Sequence, residues 1–242
     1  MLAERPDVER AVEAIARELK YRIQRSREEH AGRKIFLNYV NVGGSGDRIE
    51  VDLNFGQRLP LAPLRLAAMW QPGDLARPEV RLCGLPEIAA GKICAMLDRC
   101  KPRDLFDAGR LPQMGQAFWS DPEFKKLVVA FTGTLDHPLH SYGQERLERV
   151  RALDIATELV PMTGAGKTID REVLIDQAWK AVERILALDE SEWEFVDRLQ
   201  VGEVRLDLLF TDESEMRETL EKWPPLQWKA LNARKARPRG NR

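Results

Sequence analysis

The chain has 242 residues, 43% of them hydrophobic and 32% charged, with a formal net charge of −1. That length can bury a substantial core, and the composition excludes both a disordered chain and a broadly basic surface, so any nucleic acid has to meet a local patch. No apolar run approaches the ~18 residues of a membrane helix and the N-terminal MLAERPDVER lacks a signal-peptide core, a reading that places the protein in the cytoplasm without a membrane partner.

In chain order, residues 6–29 are predicted as one amphipathic helix, with Pro6 in its first turn and Val8, Val12, Ile15, Leu19 and Ile23 at steps of three and four. KIFLNYVNV and DRIEVDLNF flank Gly43-Gly44-Ser45-Gly46, the pattern of two antiparallel strands joined by a glycine-rich turn. Residues 57–81 contain Pro60, Pro63, Pro72 and Pro78 and read as extended or looped, with a short strand at 80–83. Pro86-Glu87 opens a helix with Ile88, Ile93, Met96 and Leu97 on its apolar face. It ends near Lys101-Pro102, because the residue before proline avoids the α region. A second helix follows from Arg103 with Leu105, Phe106 and Ala108. Residues 144–160, 170–188, 191–199 and 212–223 are predicted as helices and 204–210 as a strand, so the second half is mainly helical. The basic segment 234–242 reads as a solvated end, with a nucleic-acid arm as the other possibility.

Two stretches could carry chemistry. In IEVDLNF, alternation puts Glu50, Asp52 and Asn54 on one face and Ile49, Val51, Leu53 and Phe55 on the other. That polar face either meets water or presents Asp52 as an oxygen ligand for Mg²⁺. In LPEIAAGKICAMLDRCKPRDLFDAGRL, Lys92, Met96 and Arg99 share a helical face, and Arg103, Asp104 and Asp107 follow within a turn or so of the next helix. Lys92 suits a phosphate contact, and Asp104 suits orienting that lysine or a nucleophilic hydroxyl. The plainer reading is a salt-bridged helical hairpin with Arg103 and Asp107 as an i,i+4 pair.

Three other features are discounted. TGAGKT at 163–168 imitates a P-loop, but Pro161 stands where the first glycine belongs and no clear hydrophobic strand precedes it. His137 and His140 form an HxxH in a loop without a third ligand, and read as a surface turn. Cys83, Cys94 and Cys100 form no CxxC pair and read as reduced, partly buried thiols.

The ordered segments IEVDLNF, LPEIAAGKICAMLDRCKPRDLFD, GEVRLDLLF and PLQWKALNARK together resemble the AbiEii/AbiGii nucleotidyltransferase toxins. The resemblance implies an α+β fold. A core like that of DNA polymerase β-type nucleotidyltransferases would occupy residues 1–110, and a helical region residues 111–242 with a basic tail from about 234. It also implies metal-dependent transfer of a nucleotide from an NTP to an RNA acceptor such as the tRNA 3′ end, in abortive infection or growth arrest, beside an AbiEi-type antitoxin. By the same resemblance Asp52 is the third carboxylate of the metal-binding sheet, Lys92 the triphosphate-contacting lysine and Asp104 the orienting or basic carboxylate. Arg99, Arg103 and Asp107 complete the substrate-binding cluster, and Trp228 and Lys229 have structural roles. The family's first motif, a Gly-Gly-Ser/Thr turn followed by Asp-x-Asp, should precede Pro6, which implies a core truncated at its N-terminus. The six residues between Ser45 and Asp52 leave no room for the intervening helix, so Gly43-Gly44-Ser45 is a hairpin turn. A second reading is a catalytically inactive relative that binds RNA or an antitoxin through the basic residues of its helical half.

Overall fold

The computed structural model describes residues 5–26, 32–57, 59–164, 166–211 and 214–236. The chain forms two compact units, Met1–Leu59 and Pro60–Arg242.

In the first unit, helix α1 (Arg5–Glu18) precedes an antiparallel sheet of β1 (Arg22–Arg25), β2 (Gly32–Val40) and β3 (Gly46–Asn54), in that order. The β2–β3 hairpin is the one expected. Asn41 closes it by accepting from the amides of Gly43 (3.0 Å) and Ser45 (3.1 Å), and Gly44 takes φ +77°, which glycine adopts without strain. Ala16, Ile35 and Leu37 are buried at the centre, with Val12, Tyr21, Ile23, Val51 and Leu53 packed around them.

The single helix expected over 6–29 is corrected, insofar as its last residues, 27–29, lie outside the described ones. It stops at Glu18, Lys20 turns the chain with φ +58°, and Ile23 pairs with Leu37 across β1 and β2. In a strand Tyr21 and Ile23 fall on the same face, and Tyr21 there stacks on Tyr39 at 5.1 Å. The face of α1 that packs is Val12 and Ala16; Val8, Ile15 and Leu19 are exposed.

The second unit begins with a two-stranded antiparallel ribbon, β4 (Arg65–Ala68) and β5 (Glu79–Leu82), of which the sequence predicted only the later strand. Helices α2 (Leu85–Arg99) and α3 (Pro102–Met114) follow, then the short α4 (Gln116–Trp119) and α5 (Pro122–Thr132). Every side chain of α5 from Leu127 to Thr132 is buried, and α2 packs on this helix. Its charged residues, Glu123, Lys125 and Lys126, are confined to the first two turns, so the apolar run 127–131 carries no helical period of its own. Helix α7 (Arg171–Leu186) lies on α3 at Gly109, where a Cβ would stand 3.2 Å from Cβ of Gln177 and 3.3 Å from the amide nitrogen of Ala178. Helices α8 (Glu190–Gln200), α9 (Glu215–Glu221) and α10 (Pro224–Ala236) complete the unit. Of the helix expected at 212–223, residues 212–213 lie outside the described ones.

Two expectations fail here. Residues 144–160 are not one helix but a 3₁₀ segment, Gln144–Arg149, followed by α6 (Ala152–Asp154) and one π turn, Ile155–Leu159. Val150 and Arg151 are extended between them, and Asp154 caps the restart at Arg151. Residues 204–210 form no strand: Leu206, Leu209 and Phe210, spaced by three and one, are all buried around a 3₁₀ turn at Leu206–Leu208. The expected division at 110/111 falls inside α3, whereas the compact units divide at 59/60.

Candidate functional site

The turn between α2 and α3 is made by Cys100, at φ +52°, whose amide returns to the Met96 carbonyl at 3.0 Å. Pro102 then starts α3 where its missing N–H matters least. Ile93, Met96 and Leu97 of α2 and Leu105, Ala108 and Leu111 of α3 are buried. Ile88, expected on that apolar face, is exposed, and Ala89 and Ala90 are buried instead.

The polar residues of the hairpin pair across it. Lys92 donates to Asp107 at 2.6 Å, with both side chains exposed. Arg99 grips Asp104 with two nitrogens, at 2.6 and 3.2 Å, and the Asp104 carboxylate also accepts from the Lys101 amide at 3.4 Å. Asp104 is only 3% exposed, whereas the Arg99 side chain is 51% exposed. The expected Arg103–Asp107 pair is not formed: Asp107 turns to Lys92, and Arg103 is exposed with no ion pair among the described residues. Met96, placed on the face of Lys92 and Arg99 by spacing, is fully buried beneath them.

In the first unit, Asp52 lies on the solvent face of β3, as alternation requires, with its side chain 63% exposed. Lys34 faces it across the hairpin and reaches Glu50 at 2.5 Å and Asp52 at 3.7 Å. The hydrogen bond and charge of Glu50 hold the Lys34 ammonium above its ordinary pKa, and Lys34 in turn holds the Glu50 carboxyl below its own. No group of three or more His, Cys, Asp or Glu side chains placed to hold a metal is found among the described residues. Asp52 and Glu50 are hard oxygen donors of the type that Mg²⁺ takes, one or two at a time, and both face the Lys34 ammonium.

The late segments do structural work. Gly202, at φ +85°, allows α10 to come so near that a Cβ would stand 2.7 Å from the Ala230 carbonyl oxygen, and Arg234 donates to the Gly202 carbonyl at 2.7 Å. Residues 234–236 of the expected basic tail are the last turn of α10, and residues 237–242 lie outside the described ones. Lys229 donates to the carbonyl of Leu135 at 2.5 Å, and burial lowers its pKa. Trp228 is exposed; the tryptophan that packs is Trp223, buried against Phe131 at 4.7 Å.

Of the discounted features, Cys100 lines a small cavity. His140 stacks on Trp193 at 4.2 Å and bonds Asp197 at 3.0 Å. The three thiols are free, and burial pushes Cys94 up to about 11. A 660 Å³ cleft beside Lys20, Arg22 and Arg48 holds none of the expected site residues. A smaller cavity is lined by Arg99 together with Arg146 and Arg149, two residues that no motif or spacing singled out.

The chain belongs to the AbiEii family: the family model described as nucleotidyl transferase AbiEii toxin, type IV TA system, matches residues 3–201. The family is one of nucleotidyltransferase toxins of toxin–antitoxin systems, and the match spans IEVDLNF and the whole α2–α3 hairpin. Among solved structures the chain is similar to MenT4, a nucleotidyltransferase toxin from Mycobacterium tuberculosis H37Rv, with a TM-score of 0.55 and 15% identity over 84% of this chain and 67% of that one. At that identity the likeness is one of fold, here a mixed helix-and-sheet fold. No curated protein matches the sequence. No helix among the described residues is long and apolar enough to cross a membrane.

Proposed function

We propose that this protein transfers a nucleotide from a nucleoside triphosphate to an RNA acceptor, such as the 3′ end of a tRNA. It acts in the cytoplasm as the toxin of a toxin–antitoxin or abortive-infection pair whose antitoxin is of AbiEi type. The β3 strand and the α2–α3 hairpin belong to a nucleotidyltransferase core of the DNA polymerase β kind, and the helices after α3 to its helical region.

The observation that carries this reading is the pair of cross-links in the α2–α3 hairpin, Lys92–Asp107 and Arg99–Asp104, within the segment matched by the family model. Lys92 is the triphosphate contact: its ammonium is exposed, and a phosphate oxygen can replace or join the Asp107 carboxylate. Asp104 is the orienting carboxylate rather than a base, because it is buried and both its oxygens are engaged by Arg99. It holds the Arg99 fork in one orientation, so that less side-chain freedom is lost when a phosphate binds. Arg103, exposed and without a carboxylate partner among the described residues, and Asp107, which sets the resting position of Lys92, complete the substrate contacts.

Asp52, with Glu50 beside it, is the residue that would hold Mg²⁺; the ion, when bound, neutralises charge on the triphosphate. For Asp52 to serve, Lys34 has to swing away from the two carboxylates, a movement open to an exposed, flexible side chain.

Incubation with each labelled NTP, Mg²⁺ and total tRNA tests the proposal. Label should enter tRNA and fall at least tenfold for Lys92→Ala and Asp52→Ala. Absence of incorporation with all four nucleotides, or full activity in both variants, overturns it.

A further inference from the structure

The smaller cavity has a volume of 220 Å³ and sits in the second unit, where the end of α2, the start of α3 and the broken 144–154 segment meet. Its lining includes four cations, Arg99, Lys101, Arg146 and Arg149, and one carboxylate, Asp154. Most of these charges are already matched. Arg99 is held by Asp104, Lys101 reaches Glu158 at 3.3 Å, and Asp154 is paired with Arg151 at 2.6 Å.

Arg146 and Arg149 are not matched. Neither forms an ion pair with a carboxylate among the described residues. Arg146 is nevertheless fixed: it donates to the Asp98 carbonyl at 2.6 Å, and its guanidinium lies over the Tyr142 ring at 5.0 Å. Its Nε is buried with no hydrogen-bond partner. A buried donor of a permanently charged group left without an acceptor is costly. An anionic oxygen entering the cavity would supply the charge that Arg146 and Arg149 lack.

The geometry points to a phosphate-binding site in this cavity, with Arg146 and Arg149 as its principal cations and Arg99 and Lys101 at its edge. The volume suits one phosphate group, being below the ~300–1,000 Å³ of pockets that enclose a whole drug-sized ligand. The sugar and base of a nucleotide would therefore lie outside. Such a phosphate comes either from the backbone of a single-stranded RNA or from a nucleoside triphosphate. This deepens the proposed transfer and rests on it for the source of the phosphate, while binding, read without turnover, can fail or hold separately from transfer.

Fluorescence polarisation measures the affinity of the full chain for two probes, a short labelled single-stranded RNA and a fluorescent ATP analogue. The variants are Arg149→Glu, at an exposed position, and Arg146→Gln, each checked by thermal melting. Either variant should weaken one probe by about tenfold or more, as expected for loss of a charged hydrogen bond. In the RNA case, the slope of log affinity against log salt should also fall by ~0.7 per lost contact. Loss of RNA affinity alone assigns the site to the acceptor backbone, and loss of analogue affinity assigns it to the triphosphate. Arg149→Glu that melts normally and binds both probes within twofold of the parent overturns the site, as does a parent chain that binds neither.

Discussion

Arg99 holds Asp104 through both carboxylate oxygens while the two residues differ sharply in exposure, the acid buried and the guanidinium half in water. Asp104 also caps the start of α3 at Lys101, so its removal breaks an ion pair and uncaps a helix together. Asp104→Ala is expected to lose ~1–3 kcal/mol of stability, and Asp104→Asn less, because it can still accept from the Lys101 amide. Urea unfolding of the three proteins checks this; equal midpoints would refute it.

Lys92 and Asp107 make the opposite case. Both are exposed, and a surface pair of this kind contributes ~0–1 kcal/mol. Lys92→Ala should therefore melt almost as the parent does while losing nucleotide transfer. A variant destabilised in proportion to its lost activity would show that Lys92 is structural.

Gly202 combines φ +85° with the close approach of α10. An alanine there meets both a left-handed backbone and the Ala230 carbonyl. Gly202→Ala should lose more than ~1 kcal/mol, visible as a lower denaturation midpoint; a neutral result would mean that α10 can shift outward freely.

Asp189 caps α8, and hydrogen bonds from the backbone amide of Glu192 and then the Ser191 hydroxyl hold its carboxyl below the ordinary aspartate range. A lowered folded pKa contributes stability that is complete above the unfolded value, ~3.9, and is lost as pH falls through the folded one. The melting temperature should consequently drop less between about pH 6 and pH 3 for Asp189→Asn than for the parent. Parallel pH profiles for the two would remove Asp189 from the acid response.

Much of the site was legible in sequence. Period-two alternation placed Asp52 on the polar face of β3, and the Lys101-Pro102 break placed Lys92, Arg99, Asp104 and Asp107 on two successive helices. Which cation meets which carboxylate was not legible. Spacing within one helix favoured Arg103–Asp107, but the crossing of α2 and α3 brings Lys92 nearer and leaves Arg103 in solvent.

What the sequence determined by itself is the family and the elements whose pattern is local: the glycine-turned β2–β3 hairpin, the proline-started α2 and α3, and the capped α7 and α8. Local spacing and turn chemistry suffice for these because each contact lies within a few residues. Only the tertiary structure decided the conversion of residues 22–25 from helix to strand, the burial of α5 and the charge-bearing cavity at Arg146 and Arg149. Those depend on pairing between distant segments: Ile23 needs Leu37 beside it, α5 needs α2 over it, and Arg146 is fixed only when the Asp98 carbonyl is brought to it.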